Sequence, residues 1–305
     1  MKIQTVTGPV DPQAIHKTMI HEHLVFDLSE VRQEKDRDSK LEDSPQLDHE
    51  IQLLIDSGCN TIVEVSNIGM GRDAEALSEI AHKHDLNIVA STGFYKESVY
   101  PSFVFEKSKE ELAEIMIREV LEGMDETTIR AGLIAEIGSS YEEITKTEEK
   151  VFQASILAHK TTGAPISTHC EIGTMGRDQL DIFEKHHVDM NRVSFGHQDL
   201  NEDVEEQLLL LKSGAYIQFD TIGKNSYRKD TDKVDNLLVL LERGYEDQLM
   251  LSCDITRKSH LKGYGGYGYN HLFENFIPAL IEKGITNEIL DKMLVHNPRK
   301  FLAFL

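Results

Sequence analysis

One unit recurs along the chain: a helical pattern that ends in Gly or a polar turn, followed by a short apolar segment whose last residues are polar or charged. The apolar segments predict eight strands, at 18–26, 61–66, 87–92, 131–138, 165–169, 192–197, 215–220 and 248–254. The helical patterns cover 46–57, 73–84, 107–123, 147–161, 177–187, 201–212 and 231–243, and a helical stretch follows at 270–304. Strands that alternate with helices pair in parallel through right-handed crossovers. The pattern therefore predicts an α/β fold, the (β/α)8 TIM barrel.

The length of the chain fits one such barrel. Its 305 residues exceed the roughly 250 typical of the fold by the size of ordinary insertions. No linker or change of composition divides it, so we expect a single domain over 1–305. A doubly wound open sheet is the alternative, but no strand is followed by the Gly-x-Gly-x-x-Gly turn of its dinucleotide-binding form. The charged run 29–44 has no apolar period and predicts an exposed, mobile loop.

Charge and composition narrow the class of protein. The chain has 53 acidic and 32 basic residues, a formal net charge of −21. Such a surface repels polyanions, so nucleic acid is not an expected partner, whereas a small anionic substrate stays compatible because salt screens the overall field beyond about 8 to 10 Å. No apolar run predicts a membrane span, and residues 1–6 lack the apolar core of a signal peptide. We expect a cytoplasmic protein whose Cys59, Cys170 and Cys253 are free thiols.

The first candidate chemistry is the segment Met-Ile-His-Glu-His-Leu at 19–24. Side chains two residues apart on a strand point to the same face, so His21 and His23 would direct both imidazoles to one point. Taken alone, the pair is equally compatible with two solvent-facing histidines on an edge strand. A metal site requires further ligands that reach the same point from other strands.

Four more predicted strands end in residues of metal-binding type. These are Glu136 on strand four, His169 on strand five, His197 on strand six and Asp254 on strand eight. Active sites of (β/α)8 barrels form at the carboxyl ends of the strands, so these side chains would meet His21 and His23 at one rim. Each residue alone would be interpreted as a core histidine or a helix-capping carboxylate. Their joint placement on five strands predicts a metal centre.

Imidazoles and carboxylates together suit divalent ions, and we expect two of them, zinc in the first place and manganese or cobalt as alternatives. Two ions about 3.5 to 4 Å apart need a bridging group, for which Glu136 is the candidate. The ions lower the pKa of a bridging water enough to supply hydroxide near neutral pH. Asp254 is placed to bind one ion, take a proton from that water and return it to the leaving group.

These motifs resemble the phosphotriesterase family of the amidohydrolase superfamily. His-Glu-His-Leu at 21–24, Ser-Thr-His at 167–169, Gly-His at 196–197 and Asp254 match the family's metal ligands in order and spacing. The resemblance covers essentially the whole chain. It implies a binuclear metal hydrolase on a distorted amidohydrolase-type barrel, which forms a homodimer. It also implies that His21 and His23 hold the more buried ion, and His169 and His197 the more exposed one.

Glu136 departs from a common pattern of this family. Many members bridge the metals with a carboxylated lysine at the end of strand four, in a Gly-x-x-Lys setting, whereas this chain has Ala135 at the expected lysine position and Glu136 one place later. The chain therefore looks like the phosphotriesterase homology protein branch, where glutamate bridges, and 218–227 and 254–269 are similar to that branch as well. A shift by one residue turns a strand side chain to the opposite face, so a bulge or bend must restore the aim of Glu136.

The loops at the predicted rim carry basic and aromatic residues, and the loops after strands seven and eight are common phosphate sites in this fold. The candidate substrate-binding residues are Lys224, Tyr227, Arg228, Arg257 and Lys258, with Tyr95 after strand three. Arg and Lys suit a phosphate or carboxylate. Ordinary surface ion pairing is the alternative for the basic set.

The leading hypothesis for function is hydrolysis of a lactone or carboxylic ester, most concretely a small anionic or phosphorylated sugar lactone, with Asp254 moving the proton. Phosphotriester hydrolysis is the alternative, although neutral triesters favour an apolar pocket and the basic loops argue against one. A catalytically silent metal-binding protein is a third hypothesis, against which the presence of Asp254 argues.

Overall fold

The computed structural model describes residues 1–31 and 36–305. Its main sheet has eight strands, and every hydrogen-bonded pair of neighbours is parallel. In chain order the strands are Lys17–Glu22, Cys59–Glu64, Asn87–Thr92, Leu133–Ser139, Ile166–Cys170, Val193–Phe195, Tyr216–Phe219 and Leu249–Leu251. The sheet order follows the chain order from the first strand to the eighth. The predicted (β/α)8 barrel is confirmed, and the sheet is nearly closed.

Helices connect the strands. They are Pro45–Asp56, Ala74–His84, Ser102–Glu106, Lys109–Leu121, Lys146–Thr162, Gly176–Lys185, Val204–Lys212 and Asp230–Glu242. Local sequence signals fix their ends. Ser108 and Thr145 each form a reciprocal capping box with the Glu three residues later. Gly163 ends one helix in the left-handed conformation that glycine adopts without steric cost.

The predicted helical stretch 270–304 is divided into shorter pieces. π-helical turns at Leu272–Phe276 and Lys292–His296 run into the helices Ile277–Glu282 and Asn297–Leu302, and Asn287–Asp291 lies between these two parts of the chain. The chain ends beneath the barrel, where the backbone N–H of Lys2 donates to the carbonyl of Leu305 at 2.8 Å. Within the part of the chain that the structure describes, none of the helices combines the length and hydrophobicity that a membrane span requires.

Two apolar clusters share the barrel strands. Met19, Ile62 and Ile88 face the surrounding helices and belong to the larger cluster. Their neighbours along the strands face inward and form the second cluster, which fills the amino-terminal end of the barrel and includes Ile20, Val63, Val89, Leu133 and Met250. This alternation is what the two-residue repeat of a strand imposes. Apolar packing therefore fills one end of the barrel and leaves the carboxyl ends of the strands for polar side chains.

The structure corrects several predicted boundaries. Strands six, seven and eight end at Phe195, Phe219 and Leu251, so His197, Asp220 and Asp254 lie beyond the ladder. His197 and Asp254 have positive φ angles of 56° and 50°, because the backbone turns sharply where it leaves the sheet.

The charged run 29–44 is also more ordered than its composition predicts. Residues 32–35 of this predicted loop lie outside the described residues. In the remainder, Lys40–Leu41 pairs antiparallel with Phe26–Asp27, and Leu41 is buried. The prediction of an exposed loop is therefore wrong at 40–41, because one apolar side chain in a charged run is enough to anchor a short hairpin to the core.

Candidate metal centre

His21 lies near the end of the first strand and His23 directly follows that strand, and both are buried. The Nδ1 of His21 lies 2.9 Å from Gln218 Oε1 and 3.1 Å from Asp220 Oδ2. Its Nε2 lies 3.1 Å from Glu136 Oε1. The Nδ1 of His23 lies 2.8 Å from Ser66 Oγ, and its Nε2 lies 3.3 Å from Asp254 Oδ1. Each ring therefore has one nitrogen held by an outer polar group and the other directed at a carboxylate inside the barrel.

Glu136 reaches the centre through a bulge in the fourth strand. Ile134 pairs with Ile166 and Ile137 with Thr168, so two residues of the fourth strand lie opposite one residue of the fifth. The structure thus contains the bulge that the one-residue shift required. The peptide between Ala135 and Glu136 is cis. Glu136 Oε1 lies 3.1 Å from His21 Nε2, 3.3 Å from His169 Nδ1 and 3.8 Å from His197 Nε2.

His169 and His197 face each other across the fifth and sixth strands, with His169 Nδ1 and His197 Nε2 only 2.7 Å apart. The outer nitrogens are held as in the first pair. His169 Nε2 lies 2.6 Å from Glu171 Oε2, and His197 Nδ1 lies 2.8 Å from Asp220 Oδ1. Gly196 makes this approach possible, because a Cβ atom there would lie 2.4 Å from the carbonyl oxygen of Thr168.

Asp254 completes the set from beyond the eighth strand. Its Oδ1 faces His23, as described above, and lies 3.7 Å from His21 Nε2. Its Oδ2 pairs with the ammonium group of Lys224, and both side chains are buried. The six predicted ligands thus come together at one end of the barrel. His21, Glu136 and His169 lie within their strands, and His23, His197 and Asp254 lie just beyond theirs.

The charged groups of this cluster shift the pKa values of their neighbours. Burial alone would lower the pKa of His21, but the carboxylates of Asp220 and Glu136 raise it well above its usual value. Burial alone would raise the pKa of Glu136, but His169 and His21 hold it well below its usual range. The pKa of Asp254 is lowered against burial, chiefly by Lys224. Buried carboxylates that stay ionised in this way need positive charge beside them.

The predicted substrate residues divide into two groups. Tyr95, Lys224 and Tyr227 line a pocket of about 110 Å³ whose floor includes Glu136 and His169. Arg228 does not line it, since its guanidinium donates to the carbonyl of Asp199 at 2.9 Å and to Asn236 Oδ1 at 2.9 Å.

Arg257 and Lys258 lie on the loop after the eighth strand, away from the pocket lining. Arg257 pairs with Asp36, and the ammonium group of Lys258 lies 3.1 Å from Glu42 Oε1. The structure therefore does not bring these two residues, or Arg228, to the pocket where Lys224 lies.

Two supporting carboxylates, Asp220 and Glu171, were missed from the sequence. Asp220 touches both His21 and His197, and its pKa is lowered against burial by His197 and His21. Glu171 holds His169 and also pairs with Lys96, a further pocket residue. Asp220 is the last residue of a predicted strand, and Glu171 lies two residues after a predicted ligand, so both positions carried a signal that a carboxylate could support the histidines.

The donor set fits divalent cations. Three overlapping groups have their ligand atoms within 4.8 Å of one another: His21 with His197 and Asp220, His21 with His23 and Glu136, and Glu136 with His169 and His197. Glu136 Oε2 is buried and has no hydrogen-bond partner among the described residues. A buried carboxylate oxygen without a partner is costly, and a bound cation would satisfy it. The fold and the site together define a (β/α)8 barrel protein with a buried cluster of residues suited to metal binding.

Comparison with known proteins assigns the family. The phosphotriesterase family model matches residues 1–302. The chain is 43% identical over 284 residues to the phosphotriesterase homology protein of Escherichia coli, covering 93% of this chain and 97% of that one. The chain therefore belongs to the phosphotriesterase family, whose members are hydrolases.

Solved structures and a more distant relative agree with this assignment. The structure of the Escherichia coli phosphotriesterase homology protein with phosphate in its active site superimposes with a TM-score of 0.93, covering 96% of this chain and 100% of that one. A lactonase from Listeria monocytogenes gives 0.95 at 28% identity, with 100% of both chains covered. An N-acetyltaurine hydrolase of Xenopus tropicalis is 30% identical, with 99% of this chain and 98% of that one covered.

Proposed function

We propose that the site binds two divalent metal ions and hydrolyses a lactone or carboxylic ester. The ions would be zinc, with manganese or cobalt as alternatives, and the ligands would be His21, His23, Glu136, His169, His197 and Asp254. One observation supports this most directly. Each of the four imidazoles has one nitrogen held by Ser66, Gln218, Asp220 or Glu171, while the other nitrogen is directed into the cluster. Outer partners orient metal-binding histidines in this way.

The chain's own residues divide the chemical work. Bound ions would polarise the substrate carbonyl and lower the pKa of the attacking water. Asp254 would accept the proton of that water and return it to the leaving oxygen, which is general base and then general acid catalysis by one carboxylate. The pairing of its Oδ2 with Lys224 keeps Oδ1 directed at His23. Glu136, central among three imidazoles, would bridge the two ions.

The pocket walls support a small anionic substrate, most concretely a phosphorylated sugar lactone. The lining includes the apolar residues Phe26, Leu28 and Met70. It also includes the polar and cationic residues Tyr95, Lys96, Lys224 and Tyr227. We propose that Tyr95, Lys224 and Tyr227 contact the substrate and that Lys96 contributes to the same lining. Arg228, Arg257 and Lys258 would act on the loops instead, because their side chains do not line the pocket.

An anionic carboxamide is the second candidate substrate. The similarity to N-acetyltaurine hydrolase extends over 99% of this chain. The same water would attack the amide carbonyl. The departing amine would carry the anionic group, and that group would face Lys96 and Lys224. A phosphotriester is a weaker alternative because two lysines on the pocket wall favour an anion over a neutral ester. A catalytically silent metal-binding protein is disfavoured, because the buried pair of Asp254 and Lys224 would then have no catalytic role.

One assay separates these functions. Purified, zinc-loaded protein would be tested against phosphorylated sugar lactones, their unphosphorylated counterparts, carboxylic esters, anionic N-acyl amides and phosphotriesters. We expect the phosphorylated lactones to have the highest kcat/KM. Removal of metal by a chelator should abolish turnover, and zinc should restore it. Absence of turnover with every substrate would contradict the catalytic proposal. The homodimer implied by the family resemblance is tested by light scattering of the same sample.

A further inference from the structure

The barrel has a seam at which a side chain replaces a backbone ladder. Among residues 1–31 and 36–305, the first and eighth strands stand at opposite ends of the sheet order and share no ladder. Glu22, the last residue of the first strand, crosses this seam. Its Oε1 accepts hydrogen bonds from Ser252 Oγ and from the backbone N–H of Cys253, both at 2.7 Å. Its Oε2 accepts the backbone N–H of Ile255 at 2.9 Å.

These contacts surround Asp254. The eighth strand ends at Leu251, and the backbone N–H of Ser252 still donates to the carbonyl of Phe219 at 3.0 Å, whereas Cys253 and Ile255 donate theirs to Glu22. Cys253 and Ile255 are the two neighbours of Asp254, and Glu22 holds the N–H group of each of them. Asp254 itself turns through a left-handed conformation with φ at 50°. The peptide that presents Asp254 is therefore fixed on both sides by one carboxylate.

Glu22 also lies between two of the proposed ligands in the sequence, His21 before it and His23 after it. His21 and His23 point into the barrel, and Glu22 points to the other side because side chains alternate along a strand. Ser252 extends the link, since its Oγ accepts the backbone N–H of His21 at 3.1 Å. Glu22 is fully buried. A buried carboxylate needs several donors to offset its desolvation, and the donors used here are those that define the position of Asp254.

We propose that Glu22 is a positioning residue that locks the Asp254 peptide to the strand carrying His21 and His23. The inference rests on the proposed metal centre, in which these three residues are ligands. Glu22 would bind no metal and touch no substrate. Its effect would be to keep the carboxylate of Asp254 at a fixed distance and angle from the two imidazoles, so that metal binding does not have to order the loop.

The first test measures metal binding in Glu22→Gln. A glutamine has one acceptor oxygen, and its NH2 group would face a backbone N–H, so one side of Asp254 would be released. Zinc titration of the metal-free protein should show an affinity about 10- to 100-fold weaker than in the wild type, the range typical of lost outer partners. The visible absorption of the cobalt-loaded protein should also change, because it reports ligand geometry directly.

Glu50→Gln is the matched control. Glu50 is also fully buried and also accepts two backbone N–H groups after the eighth strand, those of Lys262 and Tyr269. Those residues lie beyond Asp254 and are not proposed ligands; Tyr269 reaches the site through its hydroxyl, which donates to the carbonyl of His23, and not through the backbone N–H that Glu50 holds. Glu50→Gln should lower the melting temperature but leave the zinc affinity and the cobalt spectrum unchanged. An equal change in both variants would overturn the proposal.

A double mutant separates positioning from general destabilisation. If Glu22 acts through Asp254, then Glu22→Gln should weaken zinc binding much less in an Asp254→Asn background, because coupled residues are not additive. An undiminished effect in that background would refute the mechanism.

If Glu22→Gln does not fold, Ser252→Ala removes one contact of Glu22 and should show the same pattern with a smaller loss; unchanged zinc affinity there would count against the proposal. Absence of zinc binding by the wild type would instead contradict the proposed metal centre itself, and this inference with it.

Discussion

The floor of the pocket and the loops of its rim both carry many charged residues, but the charges are used differently. On the floor, Glu136 Oε1 faces three imidazoles. The other oxygen, Glu136 Oε2, is buried without a hydrogen-bond partner among the described residues. On the rim, Arg257 and Lys258 are already paired with Asp36 and Glu42. The floor is thus incompletely satisfied and suited to a ligand, whereas the rim charges hold loops together. Residue type alone does not distinguish these two uses.

The largest expected effect is on the floor, at Asp254. Asp254→Asn should lower kcat by about 10²- to 10⁴-fold, the usual contribution of a positioned general base. An amide cannot take the proton from the attacking water. Steady-state kinetics with a phosphorylated lactone, on protein whose metal content has been measured, gives the result. Full activity of the variant at wild-type metal content would remove Asp254 from the mechanism.

A smaller effect is expected at Asp220, which supports the floor from outside. Asp220→Asn should weaken metal binding or activity by about 10- to 100-fold, because it holds the outer nitrogens of both His21 and His197. Asp199→Asn is the matched control. Asp199 is equally buried but binds the N–H and hydroxyl of Thr221. Zinc titration of both variants makes the comparison, and equal losses would show that burial alone explains the effect.

Lys224 lines the pocket, pairs with Asp254 on its floor, and is one of the residues proposed to contact the substrate. Lys224→Gln should lower kcat/KM for a phosphorylated lactone about tenfold more than for its unphosphorylated counterpart, since a hydrogen bond to a charged group contributes about 1.5 to 3 kcal/mol. Any effect of the substitution on Asp254 should lower kcat/KM for both lactones equally, so it cancels in the ratio of the two kcat/KM values. A ratio equal to that of the wild type would mean that Lys224 supports Asp254 but does not recognise the anion.

The smallest effect is expected on the rim. Lys258→Ala should change stability by less than about 1 kcal/mol, as for other exposed ion pairs, and should leave KM unchanged. Thermal unfolding and steady-state kinetics measure the two quantities. A clear rise in KM for the phosphorylated lactone would show that the rim binds substrate directly, and the contrast between floor and rim would then have to be abandoned.

The difference between floor and rim also explains what could be predicted from the sequence. Hydrophobic periodicity gives the order of the strands, and strand order places His21, Glu136, His169 and His197 at one end of the barrel. The bulge at Glu136 follows from its displacement by one residue. These positions depend on local pattern and on a fold with a fixed polarity.

The pairing of the loop residues depends on contacts between distant parts of the chain. Arg257 meets Asp36, which is 221 residues away in the sequence, and Lys258 meets Glu42 at a separation of 216. No periodicity of either segment encodes such a contact. The contacts of Glu22 were missed for the same reason, since its partners are 230 to 233 residues away in the sequence.

The central claim is that six side chains from five strands hold two metal ions. Crystals of the zinc-loaded protein, measured on both sides of the zinc absorption edge, test it most directly. We expect two anomalous peaks, one beside His21 and His23 and the other beside His169 and His197, with Glu136 in contact with both. A single peak, no peak, or a pair of peaks that leaves Glu136 without a metal neighbour would contradict it.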